Sequence, residues 1–450
     1  MKYEHIDPEF FKKVKNSFYV DDLCSGVENV KEGFELYKKI KLRFAEAQFN
    51  VRKWRSNSKE LMNLINDKQK LEKIENKNGS IKIESITIKN EKEEITNKED
   101  KVLGISWSLD DDSFVFGFDG IIDMAEKLEM TKRNVLKVIA SIYDPLGMLQ
   151  PTVIKLKILF QEVCDSIQNW DEHLNDELVV KWKKVIDKMK RFKTLKLKRC
   201  YFINDLNDPV EKVYLHGFSD ASEAAYAACI YLKYVTRSKF IGVSLVTSKS
   251  RVKPKKKKLT VPRLELLGNL ILSKLMKVVH NALNGDINIH DYFCWTDSMI
   301  CLAWIKSNKE YKTFVENRLR SIRENIPRKK WFYVKSEENP ADVITKFNNC
   351  RNSLFYDAPQ FLYQDEESST SPFNLIDEEN LPPDYKLEEK VVLFTAGNNI
   401  KLKIKSSVSN VIDIKKYSDV NRLYRITCYV KRFIENLKNL IRKETLRNVD

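Results

Sequence analysis

Apolar and polar residues follow different patterns along the chain, and each pattern predicts a different kind of element. From 10 to 57 the pattern predicts a strand, a turn, a helix over 30–47 and a second strand over 49–54. Residues 58–100 are rich in Lys, Glu, Asn and Ile, which is typical of a charged, poorly ordered insertion. Strand patterns return over 101–118.

Two further regions flank the most regular part of the chain. Residues 131–192 have a helical pattern that is broken at 144–147, where the sequence is Asp-Pro-Leu-Gly. Residues 364–383 are acidic and contain three prolines, so they are interpreted as a linker. A last helix with a basic face is predicted over 421–443.

The most regular part, 211–346, predicts a mixed sheet covered by helices. Its predicted strands are 213–218, 224–232, 240–247, 292–295 and 331–334. Its predicted helices are 262–282, 297–306, 311–325 and one that begins at 339–342. Three strands in succession, followed by alternating helices and strands, favour the α/β class.

Composition restricts the environment and the partners. At 450 residues the chain is long enough for two or three domains. Its net charge of +15 favours a polyanionic partner such as nucleic acid. The pattern contains no membrane-spanning stretch and no signal peptide, so we expect an intracellular protein of the cytoplasm or the nucleus that does not bind membranes.

Cysteine and histidine usage argues against zinc. The eight cysteines lie far apart without a C-x-x-C pair, and the five histidines lack metal-ligand spacing. Cys229 and Cys294 stand in apolar runs and are predicted to be reduced core residues. Trp295 and Trp304 are likewise predicted to lie in the core rather than to stack on bases.

Four acidic residues are the candidate chemistry. Asp220, Asp297 and Glu265 have apolar or small neighbours in predicted core elements, and Asp342 follows Asn-Pro-Ala. Carboxylates are rare in such surroundings unless they are paired or bound to a metal. A cluster of hard oxygen ligands suits Mg²⁺ or Mn²⁺.

Each acidic residue also has an ordinary explanation when it is taken alone. Asp220 could bond the backbone of a strand-end turn, and Glu265 could lie on a solvated helix edge. Asp297 could be a helix N-cap, and Asp342 could mark a helix entry. Their order on the first strand, first helix, fourth strand and last helix of one block argues for a common site.

That order is the one found in ribonuclease H folds, and the block resembles the ribonuclease H domain of retroelements. The chain as a whole resembles the Pol polyprotein of the BEL/Pao class of long-terminal-repeat retrotransposons, including the region known as the Pao retrotransposon peptidase. The segments that resemble this class are YVDD at 19–22, QFNVRKWRSN at 48–57, IYDPLG at 142–147, PRLEL at 262–266, ENPAD at 338–342 and YRITCYVKRF at 424–433.

The resemblance implies a role for each of the four carboxylates. Asp220, Glu265, Asp297 and Asp342 would hold two Mg²⁺ or Mn²⁺ ions roughly 4 Å apart, with Asp220 shared and Asp342 on the side of the attacking water. Such a site would cut the RNA strand of RNA–DNA hybrids.

The same resemblance makes YVDD the palm motif of a reverse transcriptase, with Asp21 and Asp22 as metal ligands. Only eighteen residues precede Tyr19, and Asp7 is too close in sequence to be the third carboxylate. We therefore expect a remnant without DNA synthesis, with a polymerase half or other Pol products as possible partners. An aspartic peptidase is supported by the family label alone, because neither Asp-Thr-Gly nor Asp-Ser-Gly occurs.

Basic residues offer candidate contacts to nucleic acid. The run that includes Lys255, Lys256, Lys257 and Lys258 could bind phosphates, form a solvated loop or serve as a nuclear import signal. Arg318, Arg320 and Arg323 could add a basic helix face along the backbone of a hybrid.

The leading hypothesis is a ribonuclease H-type endonuclease attached to an incomplete reverse transcriptase. The alternative is a decayed or domesticated protein that binds nucleic acid without cutting it. The predicted regions are a palm remnant (1–57), a charged insertion (58–100), a strand pair with a helical thumb or connection region (101–200), a ribonuclease H-like domain (201–350), an acidic linker (351–383) and a tail with a basic helix (384–450).

Overall fold

The structure is a computed structural model of the 450-residue chain. It describes residues 4–20, 22–78, 100–190, 194–203, 208–255, 259–346, 353–364, 383–389, 428–429, 431–433 and 435–436. The chain divides into two compact units, Met1–Lys390 and Val391–Asp450. In the second unit the described residues are helical and lie within the helix predicted over 421–443. Among the described residues, no helix has the length and apolar character needed to cross a membrane.

The first unit combines helices and strands. Its described strands are β1 Phe18–Tyr19, β2 Asp22–Leu23, β3 Lys101–Val102, β4 Ile105–Ser108, β5 Ser113–Gly117, β6 Thr194–Lys198, β7 Val210–Ala221, β8 Ala225–Thr236, β9 Ile241–Val252, β10 Asp291–Thr296 and β11 Trp331–Tyr333. Its described helices are α1 Pro8–Ser17, α2 Val30–Glu46, α3 Lys59–Asn78, α4 Asp119–Lys127, α5 Lys132–Ala140, α6 Gln150–Ser166, α7 Asp176–Lys190, α8 Val261–Leu283, α9 Met299–Lys306, α10 Thr313–Asn325, α11 Pro340–Thr345 and α12 Ser353–Tyr356.

A five-stranded mixed sheet with the order β11-β10-β7-β8-β9 is the centre of this unit. Strands β7, β8 and β9 form an antiparallel meander, whereas β10 and β11 run parallel to β7. Helix α8 connects β9 to β10, and α9 with α10 connects β10 to β11. The predicted α/β class and the predicted succession of strands and helices are therefore confirmed.

Both faces of this sheet are covered, and β8 shows it most clearly. Along β8, Ala227, Cys229 and Tyr231 pack into one core, and the alternating residues Ala228 and Ile230 pack into the other. The first core contains residues of α4 to α7, and the second contains residues of α8, α9 and α10. The helices of the 101–200 region thus pack directly on the sheet, because an apolar sheet face must be buried against another layer.

Asp144 and its neighbours attach this helical region to the edge strand β9. The Asp144 carboxylate accepts hydrogen bonds from the backbone N–H groups of Met148 (2.7 Å) and Leu149 (3.0 Å) at the start of α6. The carbonyl of Leu146 accepts from the Ser248 N–H at 3.1 Å and from the Thr247 hydroxyl at 2.7 Å. The turn therefore pairs with an edge that would otherwise be open.

The structure corrects three of the predicted elements. Residues 49–54 form no strand. Lys59–Asn78 is a helix rather than a poorly ordered segment, because Ile65 and neighbouring apolar residues at helical spacing pack against α2. The remainder of the predicted insertion, 79–99, lies outside the described residues. One break was predicted in the helical region 131–192, and the structure has a second break, between α6 and α7.

The predicted core residues are confirmed. Cys229 and Cys294 are buried and free, and Trp295 and Trp304 are buried as well. The predicted strand pair at 101–118 is part of a four-stranded sheet with the order β3-β4-β5-β6.

Gly147 is the position where the attachment to β9 tolerates no side chain. Its φ is +75°, and a Cβ would lie 1.8 Å from the carbonyl oxygen of Ser248. We expect Gly147→Ala to destabilise the protein by about 3 kcal/mol or more, measured by urea unfolding. Gly120→Ala in α4 is the control, because a Cβ there meets nothing within 4 Å. An equally small effect of both substitutions would contradict this account.

Candidate metal centre

Three of the four predicted carboxylates lie together where the strands β7 and β10 of the central sheet end. One oxygen each from Asp220, Asp297 and Asp342 lies within 4.8 Å of the others. Strands β7 and β10 are parallel neighbours in which Ser219 is paired with Thr296. An aspartate follows each of these two residues in the sequence, so the pairing places Asp220 beside Asp297.

Asp220 is the most buried of the three, with 5 % of its surface exposed. Burial raises the pKa of its carboxyl group to about 8, and the negative charges of Asp297 and Asp342 add to this effect. The Thr345 hydroxyl donates a hydrogen bond to Asp220 Oδ2 and opposes the rise. A cation close to Asp220 would favour the ionised form of this carboxyl group.

Asp297 is not the helix N-cap that its position alone suggested. The N-cap of α9 is Ser298, whose hydroxyl oxygen accepts from the Cys301 N–H at 3.3 Å, and the helix begins at Met299. The Asp297 carboxylate is therefore available to face Asp342, and its Oδ2 accepts a hydrogen bond from Ser336 at 2.8 Å. Burial raises its pKa, and the Asp342 charge adds to the rise.

Asp342 lies in the first turn of α11, a short helix that Asn339 fixes to the sheet. The Asn339 side chain accepts from the Ala341 N–H at 3.2 Å and donates to the Ser219 carbonyl at 3.1 Å. One turn after Asp342, Lys346 places its Nζ 2.5 Å from Asp342 Oδ1. The protein thus brings a cation of its own to the carboxylates.

Glu265, the fourth predicted ligand, lies beside the group of three but is not part of it. Ser298, next to Asp297, donates a hydrogen bond to Glu265 Oε2. Burial raises the Glu265 pKa to about 6, and the Asp297 charge contributes to the rise. Helix α8 lies close to the sheet at this point. A Cβ on Gly268 would be only 3.1 Å from the Asp220 carbonyl oxygen.

Sequence reasoning overlooked the polar residues that hold these carboxylates. Ser298 follows Asp297 directly, and Thr345 and Lys346 follow Asp342 at the i+3 and i+4 spacing of one helix face. That spacing was available in the sequence. Ser336 and Asn339 had no comparable signal, because their contacts depend on how α11 packs on β7.

The predicted nucleic-acid contacts have different surroundings in the structure. Lys255 forms an ion pair with Asp165, and Lys256, Lys257 and Lys258 lie outside the described residues. Arg318 lies over the Phe314 ring at 3.5 Å, and Arg320 is exposed. Arg323 donates to the carbonyls of Trp304, Ile305 and Ser307, so it caps the C-terminus of α9. The nucleic-acid role of these residues remains a prediction.

Only one of the two predicted polymerase carboxylates is among the described residues. Asp21 lies outside the described residues, and Asp22 is exposed at the start of β2, paired with Tyr19. In the described part of the chain, Asp22 is not among the carboxylates grouped closely enough to hold a metal ion.

Part of the chain is similar to a known protein family. Residues 131–298 match the model of the Pao retrotransposon-like RNaseH-like domain. This match includes Asp220, Glu265 and Asp297 and ends before Asp342. The resemblance stated from the sequence is confirmed over this stretch. A comparison with curated proteins found no match.

Solved structures with similarity to the chain include viral and cellular proteins. A foamy viral protease–reverse transcriptase in complex with double-stranded DNA matches with a TM-score of 0.43 and 14% identity, over 74% of this chain and 48% of that chain. Ribonuclease H1 from the halophilic archaeon Halobacterium salinarum matches with a TM-score of 0.21 and 13% identity, over 30% of this chain and 96% of that chain. The present chain thus spans about half of the foamy viral chain.

The raised pKa of Asp220 predicts the pH dependence of stability without metal. The folded protein binds this proton more tightly than the unfolded chain, whose pKa is near 3.8. The stabilisation is therefore complete below pH 3.8 and is lost as the pH rises through about 8. In EDTA, we expect the melting temperature to fall more between pH 5.5 and 9 for the wild type than for Asp220→Asn. Parallel curves for the two proteins would refute the assignment.

We predict that the Lys346 ammonium group competes with a metal ion for the Asp342 carboxylate. Because Lys346 pairs with Asp342, we expect Lys346→Gln to bind Mn²⁺ severalfold more tightly than the wild type, as measured by calorimetry. Lys329→Gln is the control, because it removes the same charge from an exposed position. Equal affinities of the two variants would show that Lys346 does not compete.

Proposed function

We propose that this chain is an endonuclease that cuts the RNA strand of RNA–DNA hybrids, since residues 131–298 match the model of the Pao retrotransposon-like RNaseH-like domain. The observation that supports the proposal most strongly is the convergence of Asp220, Asp297 and Asp342 within 4.8 Å. Three carboxylates in such a small space repel one another, and a divalent cation relieves that repulsion.

The donor set fits Mg²⁺ or Mn²⁺. All three groups offer hard carboxylate oxygens, and the site includes no thiolate or imidazole. When bound, two such ions would supply the positive charge that activates a water molecule and stabilises the leaving oxygen of the phosphodiester. We assign Glu265 the fourth ligand position, because Ser298 holds it beside Asp297.

The surrounding hydroxyl groups have a positioning role in this proposal. Thr345 orients Asp220, Ser336 orients Asp297 and Ser298 orients Glu265. Residues that hydrogen-bond to metal ligands restrict their orientation and increase metal affinity. The carboxylates would therefore be held close to the positions that metal binding requires.

Nucleic acid is the proposed substrate class. The chain has a net charge of +15, which favours association with a polyanion.

Cleavage of a labelled hybrid tests the proposal directly. With Mg²⁺ the wild type should release short RNA fragments, and Asp220→Asn or Asp297→Asn should reduce the rate by at least about 100-fold, since even residues behind metal ligands contribute 10- to 100-fold. The control is Asp123→Asn, which changes an exposed carboxylate on α4.

The same assay separates the enzyme from the alternative. Should the wild type leave the hybrid intact while binding it in a salt-sensitive manner, and should both aspartate variants bind equally well, the chain would be a non-catalytic nucleic-acid-binding protein. If both variants still cleave the hybrid, the activity does not depend on Asp220 and Asp297, and the proposed site is wrong.

A further inference from the structure

Among the described residues, no N-cap side chain is bonded to the first turn of α8, the helix that contains Glu265. Its N-cap residue Thr260 makes no side-chain hydrogen bond to the helix, and the turn contains no acidic residue that would favour its N-terminus. The free N–H groups of such a turn promote fraying. The position of Glu265 therefore depends on contacts from other parts of the chain.

One of these contacts comes from a segment well beyond the predicted ribonuclease H-like domain. Arg263 donates two hydrogen bonds to the carboxylate of Glu388, at 2.7 and 3.0 Å, and its guanidinium lies 5.0 Å from the centre of the Phe314 ring. Glu388 is only 8 % exposed. A planar pair with two hydrogen bonds fixes the orientation of both side chains.

The segment that supplies Glu388, residues 383–389, is also attached through its backbone, and we call it the strap. The Glu388 carbonyl accepts from the Lys312 N–H at 2.7 Å, and Tyr311 forms an antiparallel bridge with Glu389. The Glu389 carboxylate lies 3.1 Å from the Lys309 ammonium group. The strap thus connects the loop after α9 to the first turn of α8.

The two helices that the strap connects already meet at the candidate metal centre. Ser298, the N-cap of α9, donates to Glu265, and the Cys301 thiol donates to the Pro262 carbonyl at 3.3 Å. The first turn of α8 is therefore held both by α9 and by the strap. Loss of either contact would allow this turn to move.

We propose that the strap positions Glu265, with Glu388 acting through Arg263 as a positioning residue for the metal centre. The proposal rests on the proposed function, in which Glu265 is a metal ligand. It also extends the functional unit to Glu389, beyond the boundary at 350 that the sequence predicted.

The test uses the full chain with Glu388→Gln and two measurements. Amide hydrogen exchange in 261–266 should become about tenfold faster, since the turn opens more often. The Mn²⁺ concentration at half saturation, followed by electron paramagnetic resonance, should rise roughly tenfold, as for other outer contacts of metal ligands. Exchange rates and Mn²⁺ binding that match those of the wild type would overturn the proposal.

Asp291→Asn is the matched control. It breaks another partly buried ion pair, between Asp291 and Lys330, at the far end of β10 from Asp297. It should lower the melting temperature without changing exchange in 261–266 or Mn²⁺ binding. Equal changes in both variants would mean that Glu388 contributes only general stability, which refutes a positioning role.

A charge-reversed pair provides the rescue. Arg263→Glu combined with Glu388→Arg should restore part of the exchange protection and of the Mn²⁺ affinity lost in Glu388→Gln. Failure of wild-type hybrid cleavage would refute the proposed function alone, because the exchange measurement tests the strap without requiring activity.

Discussion

The parallel pairing of β7 with β10 is the constraint on which the candidate site depends. The register that pairs Ser219 with Thr296 places one aspartate directly after each paired residue. A shift of one residue would turn one of these side chains to the opposite face of the sheet. The burial of both sheet faces holds this register, because a one-residue shift of β10 would turn Cys294 and Trp295, which pack in different cores, to the wrong faces of the sheet.

The convergence of carboxylates has an electrostatic cost that the surrounding residues reduce. Burial and neighbouring charges raise the pKa of Asp220 and Asp297, while hydroxyl donors on Thr345 and Ser336 favour the ionised forms. Lys346 adds a positive charge beside Asp342. The site is thus partly neutralised in the protein itself, and a divalent cation would complete the neutralisation.

The candidate site also depends on regions that the sequence assigned to other parts of the protein. Helices α4 to α7 bury one face of the sheet, and Gly147 permits the turn that joins them to β9. The strap contacts the first turn of α8 through the hydrogen bonds between Glu388 and Arg263. Regions before and after the ribonuclease H-like sheet therefore contribute to one packed unit, Met1–Lys390.

The sequence by itself determined the order of strands and helices around the sheet, and it identified Asp220, Asp297 and Asp342 as candidates. Period-two and helical patterns are local properties, and chemically distinctive residues can be recognised at the ends of the elements they predict. It was wrong about 59–78, because the charged composition concealed the apolar residues that pack against α2. It also took Asp297 for a possible N-cap, a role that Ser298 has in the structure.

Only the tertiary structure decided which polar groups meet. The contacts of Ser298 with Glu265, of Thr345 with Asp220 and of Glu388 with Arg263 join residues that are 33, 125 and 125 positions apart. No local pattern encodes such pairs, because each depends on how whole elements pack against one another. The candidates came from local sequence, and their arrangement into a site came from the packing of β7, β10, α8 and α11.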